Sequence, residues 1–276
     1  VGRTAVRTPV RRITDGSSRN RQHTLAAEEP LVVRVAGRTV AVPLRTPGQD
    51  VELAHGVLLA EGVIGSRADV RTARYCAGTD DQGHNTYNVL DVALAPHVPP
   101  PEPGASLPVD PGDSCAVTST AAVDAVRVHA RHDPANAPFT ARADMLATLP
   151  SAVRSRRRTP AATGALPAAA LFDDSGAIIA VREDIDQHNA ADKLLGWAVM
   201  RDRMPVSAYG TGMLITGRAT FTLARKAVLA GVPLLATTQD PTSPAVDLAE
   251  AHGMTLVGSL ATNGVDVYTR GDRVPE

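Results

Sequence analysis

The chain has 276 residues, 43% of them hydrophobic and 21% charged, enough apolar content to bury one large core or two modest ones. A formal charge of −1 gives no global field to draw in duplex nucleic acid or an anionic membrane, so neither is an expected partner and any anion must be bound locally. Two cysteines, Cys76 and Cys115, are too few for a disulfide framework and suit a reducing compartment, which makes the cytoplasm the expected location.

Residues 1–24 are polar, arginine-rich and aperiodic, the pattern of a flexible N-terminal arm lying at the surface. The opening VGRTAVRTPVRR has no apolar run after it and reads as neither secretory signal nor anchor. No stretch of the chain approaches the roughly 20 apolar residues that span a bilayer.

A β-rich subdomain is expected over residues 25–95. The β-branched run Leu31–Val35 turns at Ala36-Gly37-Arg38 and returns as Thr39–Leu44, a hairpin pattern. Asp50–Glu61 follows with apolar residues at helical spacing and its acids early, where they suit the positive end of the helix dipole. Strands are expected near Val70–Tyr75 and Tyr87–Leu94.

Seven prolines between Pro96 and Pro111 remove too many backbone donors for a sheet or helix, so 96–112 is expected to be a linker or loop. From 113 to 276 strand-like and helix-like segments alternate. Strands are expected at Ala168–Phe172, Ala177–Val181, Met213–Thr216, Pro233–Thr237 and Thr255–Val257, and helices at Gln187–Met200, Thr220–Ala230 and Ser243–Ala251. That order predicts an α/β domain with a largely parallel sheet.

Cys115 follows the turn-rich Val109–Ser114 and precedes a helical pattern over Thr120–Val126, with Asp113 or Ser114 as its cap. A thiol facing the unsatisfied N–H groups of a first helical turn has a lowered pKa, so Cys115 is a candidate nucleophile or persulfide carrier, beside the plainer reading of a small packed residue. Cys76 ends a strand with no cation after it and reads as packing. Arg154, Arg156, Arg157 and Arg158 precede a small-residue loop containing Thr163 and Gly164, where backbone N–H groups can approach a phosphate; a solvated helix face is the alternative.

The segment Glu183-Asp184-Ile185-Asp186-Gln187-His188-Asn189 joins a strand to a helix, the usual ligand position in open α/β sheets. Glu183, Asp184, Asp186 and His188 are therefore candidate acid–base groups, and Asn189 and Lys193 candidate ligand contacts; helix capping around a structural His188 is the alternative. Gly217 and Arg218 also follow a strand and fit close backbone approach with a guanidinium fork on phosphate, or equally a surface ion pair. No H-E-x-x-H pair, cysteine ligand spacing, P-loop, G-x-S-x-G or G-x-G-x-x-G motif is present, and no metal site is expected.

Taken together, EEPLVVRVAGRTVAVPLRTPGQDVELAHGVLLAEGVI, RYCAGTDDQGHNTYNVLDVAL, AAALFDDSGAIIAVREDIDQHNAADKLLGWAV, LITGRATFTLARKAVLAGVPLL and PTSPAVDLAEAHGMTLVGS resemble the formate dehydrogenase accessory sulfurtransferase family, FdhD/NarQ. The resemblance implies a cytidine-deaminase-like three-layer α/β domain with a smaller β-rich N-terminal region, in a homodimer. It implies transfer of persulfide sulfur from a cysteine desulfurase, through Cys115, to the molybdopterin-guanine-dinucleotide-type cofactor of formate dehydrogenase. It also implies recognition of a guanine nucleotide, with no covalently bound cofactor.

Departures from the family pattern fall at the chemistry. Where the family reads C-G-x-C-G this chain has Cys115-Ala116-Val117-Thr118-Ser119, so the second thiol is missing; T-G-G-x-H-A-A becomes Thr163-Gly164-Ala165-Leu166-Pro167-Ala168-Ala169; and E-D-V-G-R-H-N becomes Glu183-Asp184-Ile185-Asp186-Gln187-His188-Asn189. Two alternatives to a one-thiol sulfur carrier thus stay open. One is a repurposed paralogue, an enzyme using acid–base residues around His188 on a small polar or nucleotide-like metabolite; the other is a nucleotide-binding protein without a reaction.

Overall fold

Strands and helices largely follow the apolar runs of this chain, and the computed structural model describes residues 4–76, 87–101, 130–157, 159, 163–164, 166–262 and 264–276. The first ordered unit departs from the expected flexible arm: β1 (Ala5–Thr14) and β2 (Ser17–Ala26) pair antiparallel along their whole length. Asp15 and Gly16 both have positive φ, 49° and 76°, at the two-residue connection, the conformation that Asp-Gly favours in a tight hairpin. No residue between Thr4 and Ala26 is buried, so the apolar alternation that would mark a strand in sequence is missing.

Next come β3 (Glu29–Pro30), β4 (Val32–Val35), β5 (Arg38–Ala41), β6 (Leu44–Arg45), the helix α1 (Asp50–Ala60), β7 (Val70–Tyr75) and β8 (Val89–Leu94). They form a four-stranded sheet in the order β5-β4-β8-β7 and a short β3-β6 pair. Under them Arg45, 1% exposed, donates to both oxygens of Asp50 at 3.1 and 2.8 Å and to Asn88 Oδ1 at 3.3 Å. The expected Pro-rich linker lies mostly outside the described residues.

The C-terminal part contains α2 (Ala143–Ser155), β9 (Ala168–Asp173), β10 (Ile178–Glu183), α3 (Gln187–Met200), β11 (Thr211–Ile215), α4 (Phe221–Leu229), β12 (Leu234–Thr237), α5 (Ser243–Ala251), β13 (Thr255–Ala261) and β14 (Gly264–Thr269). Its sheet runs β10-β9-β11-β12-β13-β14, with β10 and β14 at its edges. The sheet is mixed rather than largely parallel: only β11/β12 and β12/β13 are parallel pairs. Parallel neighbours need a long crossover, here supplied by α4 and α5, whereas short turns reverse the chain between β9 and β10 and between β13 and β14.

Helices cover both faces of this sheet. One apolar cluster joins α1, α3, α4 and α5 to one face, and a second places Leu146, Leu149 and Val153 of α2 with Phe172 and Leu214 on the other. The first cluster also takes in Leu31, Val33, Leu90 and Val92, so one core runs through the β-rich N-terminal region and the α/β domain. The closest joint is between α1 and α3: a Cβ on Gly56 would stand 1.9 Å from the carbonyl oxygen of Asp192, and one on Gly196 1.8 Å from that of Glu52. Glycine lets the two backbones touch, which fixes α3 and everything at its N-terminus against the N-terminal region.

Candidate functional site at the sheet edge

The direction of the strands decides which loops meet. Parallel β11 and β12 end, antiparallel β9 begins and β10 ends at one edge, as the pairings Ile215↔Ala169 and Glu183↔Ala168 show. Thr216 N donates to Ala168 O at 2.8 Å, Ala168 N to Thr216 Oγ1 at 2.8 Å, Asp184 N to Pro167 O at 3.2 Å and Gln239 N to Gly217 O at 3.0 Å. The loops carrying Thr163 and Gly164, Glu183 to His188, Gly217 and Arg218 therefore share the crevice where open α/β sheets bind ligands. Cys115 and Arg158 lie outside the described residues.

Asp184 is wholly buried and its carboxylate is saturated: Lys193 Nζ lies 2.7 Å from Oδ2, Thr46 N donates to Oδ2 at 3.2 Å, and Asp186 N and Asn189 Nδ2 donate to Oδ1 at 3.1 and 3.2 Å. Lys193 Nζ also donates to Thr46 O at 2.8 Å, Asn189 Nδ2 to Leu44 O at 2.6 Å, and Ile185 N to Thr46 Oγ1 at 3.1 Å. A carboxylate with four donors has no capacity left for a substrate proton. Asp184, Asn189 and Lys193 thus staple the strand-to-helix turn to the Thr46 loop and so position the edge.

The other half of the same turn is different. Asp186 stands at the N-cap of α3 and accepts from His188 N at 2.6 Å, so the departure from glycine at this position supplies a helix cap. The half-buried His188 ring has an Nδ1 with no hydrogen-bond partner. Burial, then the Lys226 ammonium, holds the imidazole below its ordinary pKa against the pull of Asp186, with Arg225 adding to the shift, so the ring is neutral at neutral pH.

The groups acting on His188 belong to a buried charged set. Lys226 Nζ donates to both oxygens of Asp192, at 2.5 and 2.6 Å, and Arg225 Nη2 is 3.5 Å from Glu61 Oε1. Arg225 Nε and Glu61 Oε2 are buried without partners. Burial pushes the Asp192 carboxyl up while Lys226 pulls it down. Glu61, Asp192, Arg225 and Lys226 were not singled out in the sequence; the signal there was the charged pairs Asp192-Lys193 and Arg225-Lys226 inside otherwise apolar helical stretches, since charges that a helix buries must find partners.

The remaining candidates sit at the rim. Gly217 lets the Gln187 amide close on its Cα, since a Cβ there would be 2.2 Å from Gln187 Oε1. Arg218 is exposed and donates to Asp240 O at 2.7 Å, and Thr159 N donates to Glu183 Oε2 at 3.1 Å. Gly164 is exposed with φ 79°, and Thr163 Oγ1 donates to its carbonyl at 3.3 Å. Outside β10 a cleft of about 580 Å³ is lined by Glu52, Arg156, Arg182, Lys193, Trp197 and Arg201, among others. Cys76 is not simple packing: its half-buried thiol donates to Asp91 of β8, and Arg34 Nη2, from β4 on the far side of β8, approaches the sulfur at 3.0 Å. Among the described residues no three of His, Cys, Asp and Glu converge to hold a metal ion, and no helix is long and apolar enough to cross a membrane.

Comparison with known proteins agrees over nearly the whole chain. The model of the FdhD/NarQ family matches residues 26–275. The sulfur carrier protein FdhD of Mycolicibacterium paratuberculosis is 46% identical over 265 residues, covering 96% of this chain and 97% of the relative. Its namesake in Mycobacterium tuberculosis is 47% identical over 268 residues, covering 96% of each. In three dimensions the chain superposes on a provisionally assigned formate dehydrogenase accessory protein from Desulfotalea psychrophila with a TM-score of 0.72 at 18% identity, covering 99% of this chain and all of the other.

Proposed function

The chain belongs to the FdhD/NarQ family, and from that premise we propose that it is a sulfur carrier whose Cys115 holds sulfane sulfur as a persulfide. The observation that carries this reading is the likeness, along 96% of the chain, to relatives named as sulfur carriers. The chemistry needs one thiol. The Cys115 thiolate attacks the outer sulfur of a donor persulfide, the donor S–S bond breaks and the donor leaves as a thiolate. A second attack, by an electron pair of the acceptor, breaks the Cys115 S–S bond, releases the Cys115 thiolate and carries the sulfur away, and an acceptor that holds it as sulfide supplies those two electrons from its own reduced form. No oxidant is consumed, and Thr118 in place of a second cysteine forfeits only an internal disulfide.

In this reading the donor is a cysteine desulfurase, and the acceptor is the guanine-nucleotide-bearing molybdenum cofactor of formate dehydrogenase, met by a homodimer in the cytoplasm. Arg218, the Thr163-Gly164 loop and the arginines that end α2 supply the charge and backbone donors for its phosphates. His188, neutral and with Nδ1 unengaged, suits removal of a thiol proton. Incubation with a cysteine desulfurase and cysteine, followed by intact-mass and peptide analysis, is expected to add the mass of one sulfur atom at Cys115. An unmodified Cys115 under conditions that sulfurate a two-cysteine relative overturns the proposal.

A further inference from the structure

The hairpin β1–β2 takes no part in the sheet edge or its buried charges. Five arginines (Arg7, Arg11, Arg12, Arg19 and Arg21) against Asp15 give residues 5–26 a formal charge of +4, which leaves −5 for the rest of a chain whose total is −1. The two strands form a sheet of their own, so both long edges are unpaired among the described residues. The register puts Arg12 directly opposite Arg19, and Val6 (48% exposed), Ile13 (68%) and Leu25 (42%) stand in solvent. An isolated two-stranded hairpin is marginal in water, and like charges placed opposite each other weaken it further.

We infer that this hairpin is a docking arm for another protein, engaging an acidic extended segment of it along an open strand edge. Charge selects the occupant. Two copies of so basic a ribbon repel one another, because charged edge strands resist self-pairing, and the acidic remainder of the molecule opposes approach to nucleic acid or an anionic bilayer. An acidic strand satisfies the free main-chain donors and acceptors and at the same time relieves the Arg12/Arg19 repulsion. Arginine is also among the residues that protein interfaces favour. The inference is independent of the sulfur chemistry.

The test uses the full chain and a labelled peptide of alternating glutamate and valine, followed by fluorescence anisotropy. Binding is expected, weakening with salt, and falling roughly tenfold or more for Arg12→Glu/Arg19→Glu. Arg12→Gln/Arg19→Gln, which removes the repulsion and so keeps the hairpin, is expected to fall between the two. Hydrogen exchange should show protection of amides in residues 5–26 on adding the peptide. Unchanged affinity in both variants, protection elsewhere in the chain, or stronger binding to duplex DNA or to phosphatidylglycerol vesicles overturns the inference.

Discussion

Two buried ion pairs flank α3, formed by neighbouring residues that point opposite ways: Lys193 to Asp184, and Asp192 to Lys226. Around the first, both carboxylate oxygens are engaged by backbone and side-chain donors. Around the second stand three buried polar atoms without partners, on His188, Arg225 and Glu61. Burial alone therefore does not separate architecture from chemistry. What separates them is spare hydrogen-bonding capacity: a saturated pair locks the turn, and an unsaturated set can still exchange a proton or meet a ligand.

The largest expected effect comes from breaking the saturated pair. Asp184→Ala leaves the Lys193 ammonium and the N–H groups of Thr46 and Asp186 without their acceptor, and a loss of about 3–5 kcal/mol is expected in denaturant unfolding. Replacing the pair by Asp184→Leu/Lys193→Met should recover little, because the backbone donors stay orphaned. Substantial recovery would show that the charge, and not the backbone staple, holds the turn.

Breaking the second pair should cost less. In Lys226→Met the Asp192 carboxyl, already pushed up by burial, can take a proton, and the loss is expected to be about 1–3 kcal/mol. The sign of its pH dependence follows. A carboxyl with a raised folded pKa stabilises below its unfolded value near 3.8 and loses that contribution as pH rises through the folded value, so the deficit of Lys226→Met should widen with rising pH. A deficit independent of pH would mean that Asp192 stays ionised without Lys226.

How much of this was legible in the sequence depended on burial. Gln187–Met200 and Ser243–Ala251 matched the expected helices because each lays an apolar stripe on the sheet. The hairpin at residues 5–26 was hidden because it buries nothing, and α2 because it carries Pro150 in its interior and was read only through the arginines at its end. The mixed direction of the sheet was not legible, since a fully buried strand such as Ala168–Phe172 has the same apolar run whether its neighbours are parallel or antiparallel. At the candidate site, polar density identified the right turn. It could not say that Asp184, Asn189 and Lys193 face inward while His188 meets cations carried by α4, a long-range fact with no local signature.

His188→Gln tests the unsaturated side with a smaller structural effect. The unfolded chain takes up a proton at this histidine near pH 6.5 and the folded one only at lower pH, so wild-type stability falls as pH drops through that range. The variant should be close to wild type at pH 7 and should lose less stability on acidification; His55 and His132, also held low by burial, keep the remaining slope. Sulfur transfer from Cys115 to an acceptor thiol should fall roughly 100-fold at pH 7 if the imidazole removes the proton. An unchanged transfer rate would return His188 to a structural role.

Arg218→Ala is the mildest expected change and the sharpest control on the comparison. The side chain is exposed and its hydrogen bond goes to the Asp240 carbonyl, so stability should move by no more than about 0.5 kcal/mol. Its worth, if the sheet edge holds a phosphorylated acceptor, lies in charge: binding of a guanine nucleotide, followed by calorimetry, should weaken several-fold at low ionic strength, and the difference should shrink as salt rises. A loss of affinity that is indifferent to salt would instead mean that Arg218 shapes the edge through Asp240. In that case the rim, like the Asp184 side of the turn, is architecture, and ligand contact is confined to the unsaturated groups around His188.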